Sequence, residues 1–229
     1  MKVNKKWLTV LTLLVILGAC APIYIPPAAH VAQLEHKGEM QYGLFYGMNG
    51  LDLQGSYAAT DHQAFMATIS VGSNSDSAGT SKTAHFYGEG AYGVFSANGV
   101  GRFSAFAGMG AGTGQGKSTW SYGSTSYTEY ATGTYLRPFV QGNVGLNTGI
   151  FDLGLSARAA WVWMTYTSGN QNIPPNASML MLEPVLYTGI GTNSFKVFGQ
   201  FGISYPTNST LNFGYNPFIV SLGINFHIH

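Results

Sequence analysis

Charge is scarce in this chain. Asp, Glu, Lys and Arg make up only 8% of its residues, against roughly 25% in a typical soluble domain. A soluble β-sandwich of this size carries more charge on its surface. Long apolar runs are lacking as well. Beyond residue 20 no uninterrupted apolar stretch reaches the ~20 residues of a membrane-crossing helix. Cysteine occurs once, at Cys20, which excludes an internal disulfide framework. A basic excess is missing too: the formal net charge is +1. Without Lys2, Lys5 and Lys6, seven Lys and Arg face nine Asp and Glu, a net −2. That is not the basic footprint of a nucleic-acid binder, so no nucleic-acid partner is expected.

Glycine and aromatic side chains are plentiful, with 31 glycines and 14% aromatics in 229 residues. Little charge, much glycine and no spanning helix together favour a small membrane β-barrel.

The amino terminus reads as an export signal over residues 1–19. Lys2, Lys5 and Lys6 form a positive start, Trp7 to Leu17 an apolar stretch, and Gly18 and Ala19 supply small residues before cleavage. Cys20 follows at once. Leu17-Gly18-Ala19-Cys20 resembles the lipobox of bacterial lipoproteins. The resemblance implies cleavage before Cys20 and acyl chains on its thiol and new amino terminus, a stable anchor because each buried CH₂ contributes ~0.8 kcal/mol. The alternative is an ordinary secretory peptide with an incidental cysteine. Ala21 is not the aspartate that retains some lipoproteins at the inner membrane. Residues 20–37, with Pro22, Pro26 and Pro27, read as an extended, lipid-anchored tether.

Residues 38–229 read as an all-β, antiparallel up-and-down transmembrane barrel of about ten strands, with eight as the alternative count. The carboxy-terminal run carries the pattern most clearly. Phe218, Val220, Leu222, Ile224, Phe226 and Ile228 share one face; Ile219, Ser221, Gly223, Asn225, His227 and His229 share the other. This strand must pair with residues 38–48 to close a sheet. The remaining segments run near 51–60, 64–72, 83–95, 100–112, 132–146, 150–165, 178–191 and 195–205. Tight turns at 61–63, 97–99, 147–149 and 192–194 alternate with longer Ser-, Thr-, Asn- and Gly-rich connections at 73–82, 113–131, 166–177 and 206–216. Short periplasmic turns and longer outer loops are the habit of outer-membrane barrels. An even count places the amino and carboxy termini together on the periplasmic side. Pro138 and Pro184 fall inside strands, so bulges or strand ends are expected there. Trp161, Trp163, Tyr187 and Tyr205 suit an aromatic girdle.

The strand charges fall on the small or polar faces. They are Asp52, Glu89, Arg102, Arg137, Asp152, Arg158, Glu183 and Lys196, four acids and four bases. A buried charge is tolerable only when paired and hydrogen-bonded. Forked contacts from Arg102, Arg137 and Arg158 to Glu89, Asp152 and Glu183 are therefore expected across the lumen. Such a network either fills a narrow barrel or lines a narrow pore or small-ligand site.

Signs of catalysis are weak. His85, Asp76 and Glu129, with Ser81 and Ser118, lie near the outer rim, but no spacing orients a histidine against a nucleophile. His227 and His229 share a face without a Cys or acidic ligand beside them, so no metal is expected. The alternating glycines from Gly108 to Gly114 lack the Lys-Ser/Thr of a phosphate loop and read as close strand packing. No cofactor is expected beyond the covalent lipid on Cys20. In the 113–131 connection Trp120, Tyr122, Tyr127 and Tyr130 stand among Ser, Thr and Gly. That composition suits recognition of protein or glycan, or a polar loop with girdle aromatics.

Several stretches together resemble a group of small outer-membrane β-barrel lipoproteins of diderm bacteria. They are Leu17-Gly18-Ala19-Cys20, Pro26-Pro27, Lys37-Gly38-Glu39, Gly50 to Ala58, Thr60-Asp61-His62 and the closing run Phe218 to Phe226. The resemblance implies a location and a fold rather than an activity. It implies outer-membrane lipid and the barrel-insertion machinery as partners, with Phe226 near the position of the insertion signal. Three functions follow in order of expectation: a non-enzymatic structural or accessory subunit of an outer-membrane protein complex, a narrow channel or small-ligand transporter, and an outer-membrane enzyme.

Overall fold

A computed structural model describes residues 22–48, 50–75, 80–122, 124–169, 176–208 and 214–228. Cys20, Asp76 and His229 lie outside the described residues, as do the side chains of Trp120 and Tyr122.

The chain forms one closed antiparallel barrel of ten staves with one short extra strand. The strands are β1 (Met40–Gly47), β2 (Gly50–Ala58), β3 (Gln63–Ser75), β4 (Ser81–Asn98), β5 (Gly101–Tyr122), β6 (Thr125–Asn147), β7 (Phe151–Gly169), β8 (Asn176–Gly191), β9 (Phe195–Ile203), β10 (Tyr205–Pro206) and β11 (Phe218–Ile228). Each stave pairs with its neighbour in sequence. The barrel closes where β1 meets β11, from Met40 opposite Ile228 to Gly47 opposite Ser221. The period-two pattern of the last strand requires this seam: Ser221, Gly223, Asn225 and His227 need an interior.

Along every stave one parity faces in and the other out. On β7, Phe151, Leu153, Leu155, Trp161 and Trp163 are exposed while Asp152, Ser156 and Arg158 are buried. Exposed outward rings meet near the tight-turn rim, Phe65 with Tyr92 and Phe195 with Phe226, each at 5.1 Å between centroids. Gly99 (φ 58°) and Gly149 (φ 87°) sit in the turns after β4 and β6 in the left-handed region, where a side chain would be strained.

Four expectations are corrected. The 113–131 connection is not a loop: β5 and β6 continue as a paired ribbon, with Trp120 opposite Tyr127 and Lys117 opposite Tyr130. Tyr127 and Tyr130 are exposed on it. Neither proline ends its strand or makes a bulge. Pairing lapses between β6 and β7 at Arg137 and Pro138, and between β8 and β9 at Pro184, because proline has no N–H to give. It resumes in the same register, Tyr205 opposite Leu182, so β10 is β9 continued past the gap. The register between β6 and β7 shifts instead at Thr132/Gly133, where Thr167 of β7 is the extra residue. Tyr187 is no girdle residue; it points inward, 1% exposed, with its hydroxyl donating to Val144 O at 3.3 Å. Finally, the two ends of the described chain lie at opposite rims, because of the path of residues 22–36.

Those residues run through the lumen. The stretch from Ile23 to Leu34 is buried throughout. It is extended, without helix or ladder, and inside the sheet rather than beside it. A ten-stranded barrel is wider than one that side chains alone can fill, and this segment takes up the difference. Three apolar clusters make up the interior, and each contains residues of the segment: Ile23 and Tyr24 in the first, Ala32 and Leu34 in the second, Ala28, Ala29 and Val31 in the third.

Candidate functional site

The site is the lumen, built from inward side chains of the staves around the threaded segment. An extended backbone in a closed interior has donors and acceptors that must be satisfied there. Pro26 and Pro27 reduce the number of donors. Inward amides and carboxylates meet the rest. Ala28 N donates to Asp52 Oδ2 at 2.8 Å, and Gln54 Nε2 donates to Ala28 O at 3.1 Å. Ala29 N donates to Gln200 Oε1 at 2.8 Å while Gln200 Nε2 donates back to Ala29 O at 2.9 Å. Gln141 Nε2 donates to His30 O at 2.6 Å. Gln41 receives from Gln33 N at 2.8 Å and donates to Val31 O at 3.0 Å. A primary amide offers both a donor and an acceptor, so these glutamines replace the neighbouring strand that the segment lacks. The His30 ring is held from both sides, Nε2 at 2.7 Å from Ser56 Oγ and Nδ1 at 3.0 Å from Thr68 Oγ1.

Above this zone lies a charged and aromatic layer. Arg137 is fully buried and pairs with Glu183; its Nη1 lies 3.8 Å from Glu89. Its guanidinium stands 5.5 Å from the centre of the Tyr24 ring and 5.4 Å from that of Tyr87. Tyr24 donates to Glu183 at 2.7 Å and Tyr87 to Glu89 at 2.6 Å. Arg158 makes a forked contact with Glu89, at 3.1 and 3.3 Å. Glycine makes this layer fit: a Cβ at Gly110 would overlap the Tyr87 hydroxyl, and one at Gly114 the Ile23 carbonyl oxygen. The alternating glycines of β5 thus make room for rings and for the segment.

All eight charges assigned to the lumen from sequence are buried, but three find other partners than expected. Asp152 pairs with Lys196 at 2.6 Å, not with an arginine. Arg102 pairs with Glu35, which the segment supplies. Asp52 takes the Ala28 N–H in place of a cation. Exposed charges on the strands do occur, at Lys82 and Lys117, which stand opposite each other near the start of β4 and the far part of β5.

At the tight-turn rim the segment turns into β1 around Glu39. Its carboxylate receives Glu35 N at 2.6 Å and His36 N at 3.4 Å, and lies 3.3 Å from His227 Nδ1. Burial pushes its pKa upward; the contacts with His227, Glu35 and His36 outweigh burial and hold the carboxyl below its ordinary value. A depressed carboxylate stabilises the fold above its unfolded pKa and loses that contribution as pH falls through the folded one. Glu39→Gln is therefore expected to lower the thermal midpoint at neutral pH, with the difference from the parent shrinking toward about pH 3. Melting curves of both proteins in detergent across that range check it; a pH-independent difference would assign Glu39 a purely steric role.

A cavity of about 780 Å³ opens at the other rim, lined by Pro22, Ile25, Tyr46, Ser73, His85 and Asn216 among others. His85 Nε2 lies 3.1 Å from Ser70 Oγ, and among the described residues His85 has no carboxylate partner. Glu129 lies out on the ribbon, opposite Ser118. Among the described residues, His85 and Glu129 are thus not joined as an acid–base pair. Among the described residues no three His, Cys, Asp or Glu side chains cluster as metal ligands.

No protein-family model and no curated protein matches the chain.

Proposed function

We propose that this chain is a non-enzymatic outer-membrane β-barrel lipoprotein, lipidated at Cys20, whose lumen is closed by its own amino-terminal segment, and that it acts as a structural or accessory subunit of a larger outer-membrane assembly. The filled lumen carries this reading. A conduit needs a continuous polar path, and here that path is taken by buried residues from Ile23 to Leu34. The membrane setting is supported by the outer surface. Leu53, Ile69, Phe86, Phe103, Val140, Leu155, Leu186 and Phe201 are exposed on the successive staves β2 to β9, an apolar band far larger than soluble monomers tolerate. Outer-membrane lipid and the insertion machinery are its general partners on this reading. The alternative, a narrow channel or small-ligand transporter, draws on the rim cavity and the polar lumen and requires the segment to leave.

The test has two parts. Cys20→Ser is expected to abolish incorporation of labelled palmitate and release the protein from the outer-membrane fraction's lipid-modified pool. Leu155→Arg, with its side chain turned outward, is expected to destabilise the barrel by about 2–4 kcal/mol in bilayers, and Thr125→Arg at the ribbon tip by far less. Equal stability of parent and Leu155→Arg in vesicles contradicts a lipid-facing stave. Native pulldown from membranes then names the assembly.

A further inference from the structure

The two rims of the barrel are distinct. Tight turns after β2, β4, β6 and β8 share one rim, as do the start of β1 and the end of β11. The β5–β6 ribbon and the connections after β3, β7 and β10 share the other. The lumen segment joins the two. Its beginning is held at the loop rim: Ile23 N and Tyr24 N donate to Gly214 O at 2.9 and 3.1 Å, and Asn216 N donates to Tyr24 O at 3.0 Å. Its end is held at the turn rim, where Lys37 N donates to Asp61 Oδ1 at 2.9 Å and Gly38 N to Ala58 O at 2.8 Å. There too His227 N donates to Ser194 O at 3.0 Å. Pro22 and Ile228 therefore stand at opposite rims.

We infer that the acyl anchor belongs to the loop rim, so that the chain is tethered at the end opposite its carboxy terminus; the inference rests on the proposed lipidation of Cys20. Covalent reach decides it. Cys20 stands two positions before Pro22, and two extended residues span at most about 7 Å. The eight residues of β1 alone rise about 26 Å at ~3.3 Å each. The anchor cannot return to the turn rim over that distance, and the lumen it would have to pass is filled. With longer loops outward, as in other outer-membrane barrels, the acyl chains sit in the outer leaflet. The loop rim offers them an apolar collar, with Tyr46, Met48 and Tyr205 exposed. A diacylated end cannot be drawn through a closed, packed lumen. The β1–β11 seam must therefore close around the segment.

Thiol labelling in intact cells tests this. Pro22→Cys is compared with Thr125→Cys at the ribbon tip and Asn98→Cys at a tight turn, using a membrane-impermeant maleimide before and after outer-membrane permeabilisation, with palmitate incorporation measured on the same samples. Heat-modifiable mobility confirms that each variant folds, and Val100→Cys serves where Asn98→Cys does not. The expected result is that Pro22→Cys labels with Thr125→Cys, whichever way the barrel faces, in a palmitate-bearing protein. Labelling of Pro22→Cys together with Asn98→Cys overturns the threaded end. Correct labelling in a protein that carries no palmitate overturns the lipid anchor alone, so the two failures are distinguishable.

Discussion

Arg137→Met is expected to destabilise the barrel by about 3–5 kcal/mol, the usual cost of removing one partner from a buried ion pair. The guanidinium is fully buried and serves two carboxylates, Glu183 in contact and Glu89 at 3.8 Å. Methionine fills much of the volume but leaves both acids facing two tyrosine rings. The loss arises from stranded charge rather than from a void, so removing the charge should recover part of it. Arg137→Met with Glu183→Gln is expected to be more stable than Arg137→Met alone, although Glu183→Gln on its own costs stability. Glu89 keeps its forked Arg158 contact in every variant, which limits the rescue. Denaturant unfolding in lipid vesicles, run as a double-mutant cycle, reads the coupling. A single variant as stable as the parent contradicts a charge network that holds the lumen together.

Deleting residues 22–35 is expected to cost more than any single substitution. The segment buries Ile23, Ile25, Val31 and Leu34, each worth about 1.5–3 kcal/mol when fully buried. It also ends the Arg102–Glu35 pair and leaves Gln54, Gln141 and Gln200 without their backbone partners. Those amides face a space that water then enters, so part of the loss is recovered by solvation and the barrel wall itself is retained. Adding a synthetic peptide of residues 21–36 in trans is expected to raise the thermal midpoint of the deleted protein with saturation. A midpoint unchanged by deletion, or by peptide, contradicts a specified seat for the segment. Gly114→Phe is a milder probe, because its side chain takes the place of the Ile23 carbonyl.

The wall of the barrel is legible because an apolar exterior and a polar lumen impose opposite demands on alternate residues. Phe226 and His227 cannot exchange faces, so the parity of β11 reads directly from sequence. Parity also carried the inward charges. Tyr187 shares its parity with Glu183 and points inward, because strand parity outranks nearness to a strand end. The 113–131 stretch suggests a loop because its Ser, Thr and Gly composition shows no apolar alternation. It lies past the apolar band, so alternation has no cause there, and hairpin pairing alone holds it. The partners of Arg102 and Asp52 were hidden for another reason. They come from a segment whose prolines speak only of an extended chain, not of where it runs. One signal was present: Gln41, Gln54, Gln141 and Gln200 all point inward, more amide groups than the strand charges can use. An interior rich in glutamine needs a backbone to bind.

If the amino-terminal segment closes the lumen of this barrel, its removal must open a conducting path. Planar-bilayer recording of the full chain beside the protein lacking residues 22–35 tests it most directly. The full chain is expected to give no unitary conductance, and the shortened protein stable unitary steps that the 21–36 peptide blocks. Stable unitary conductance from the full chain would contradict the account.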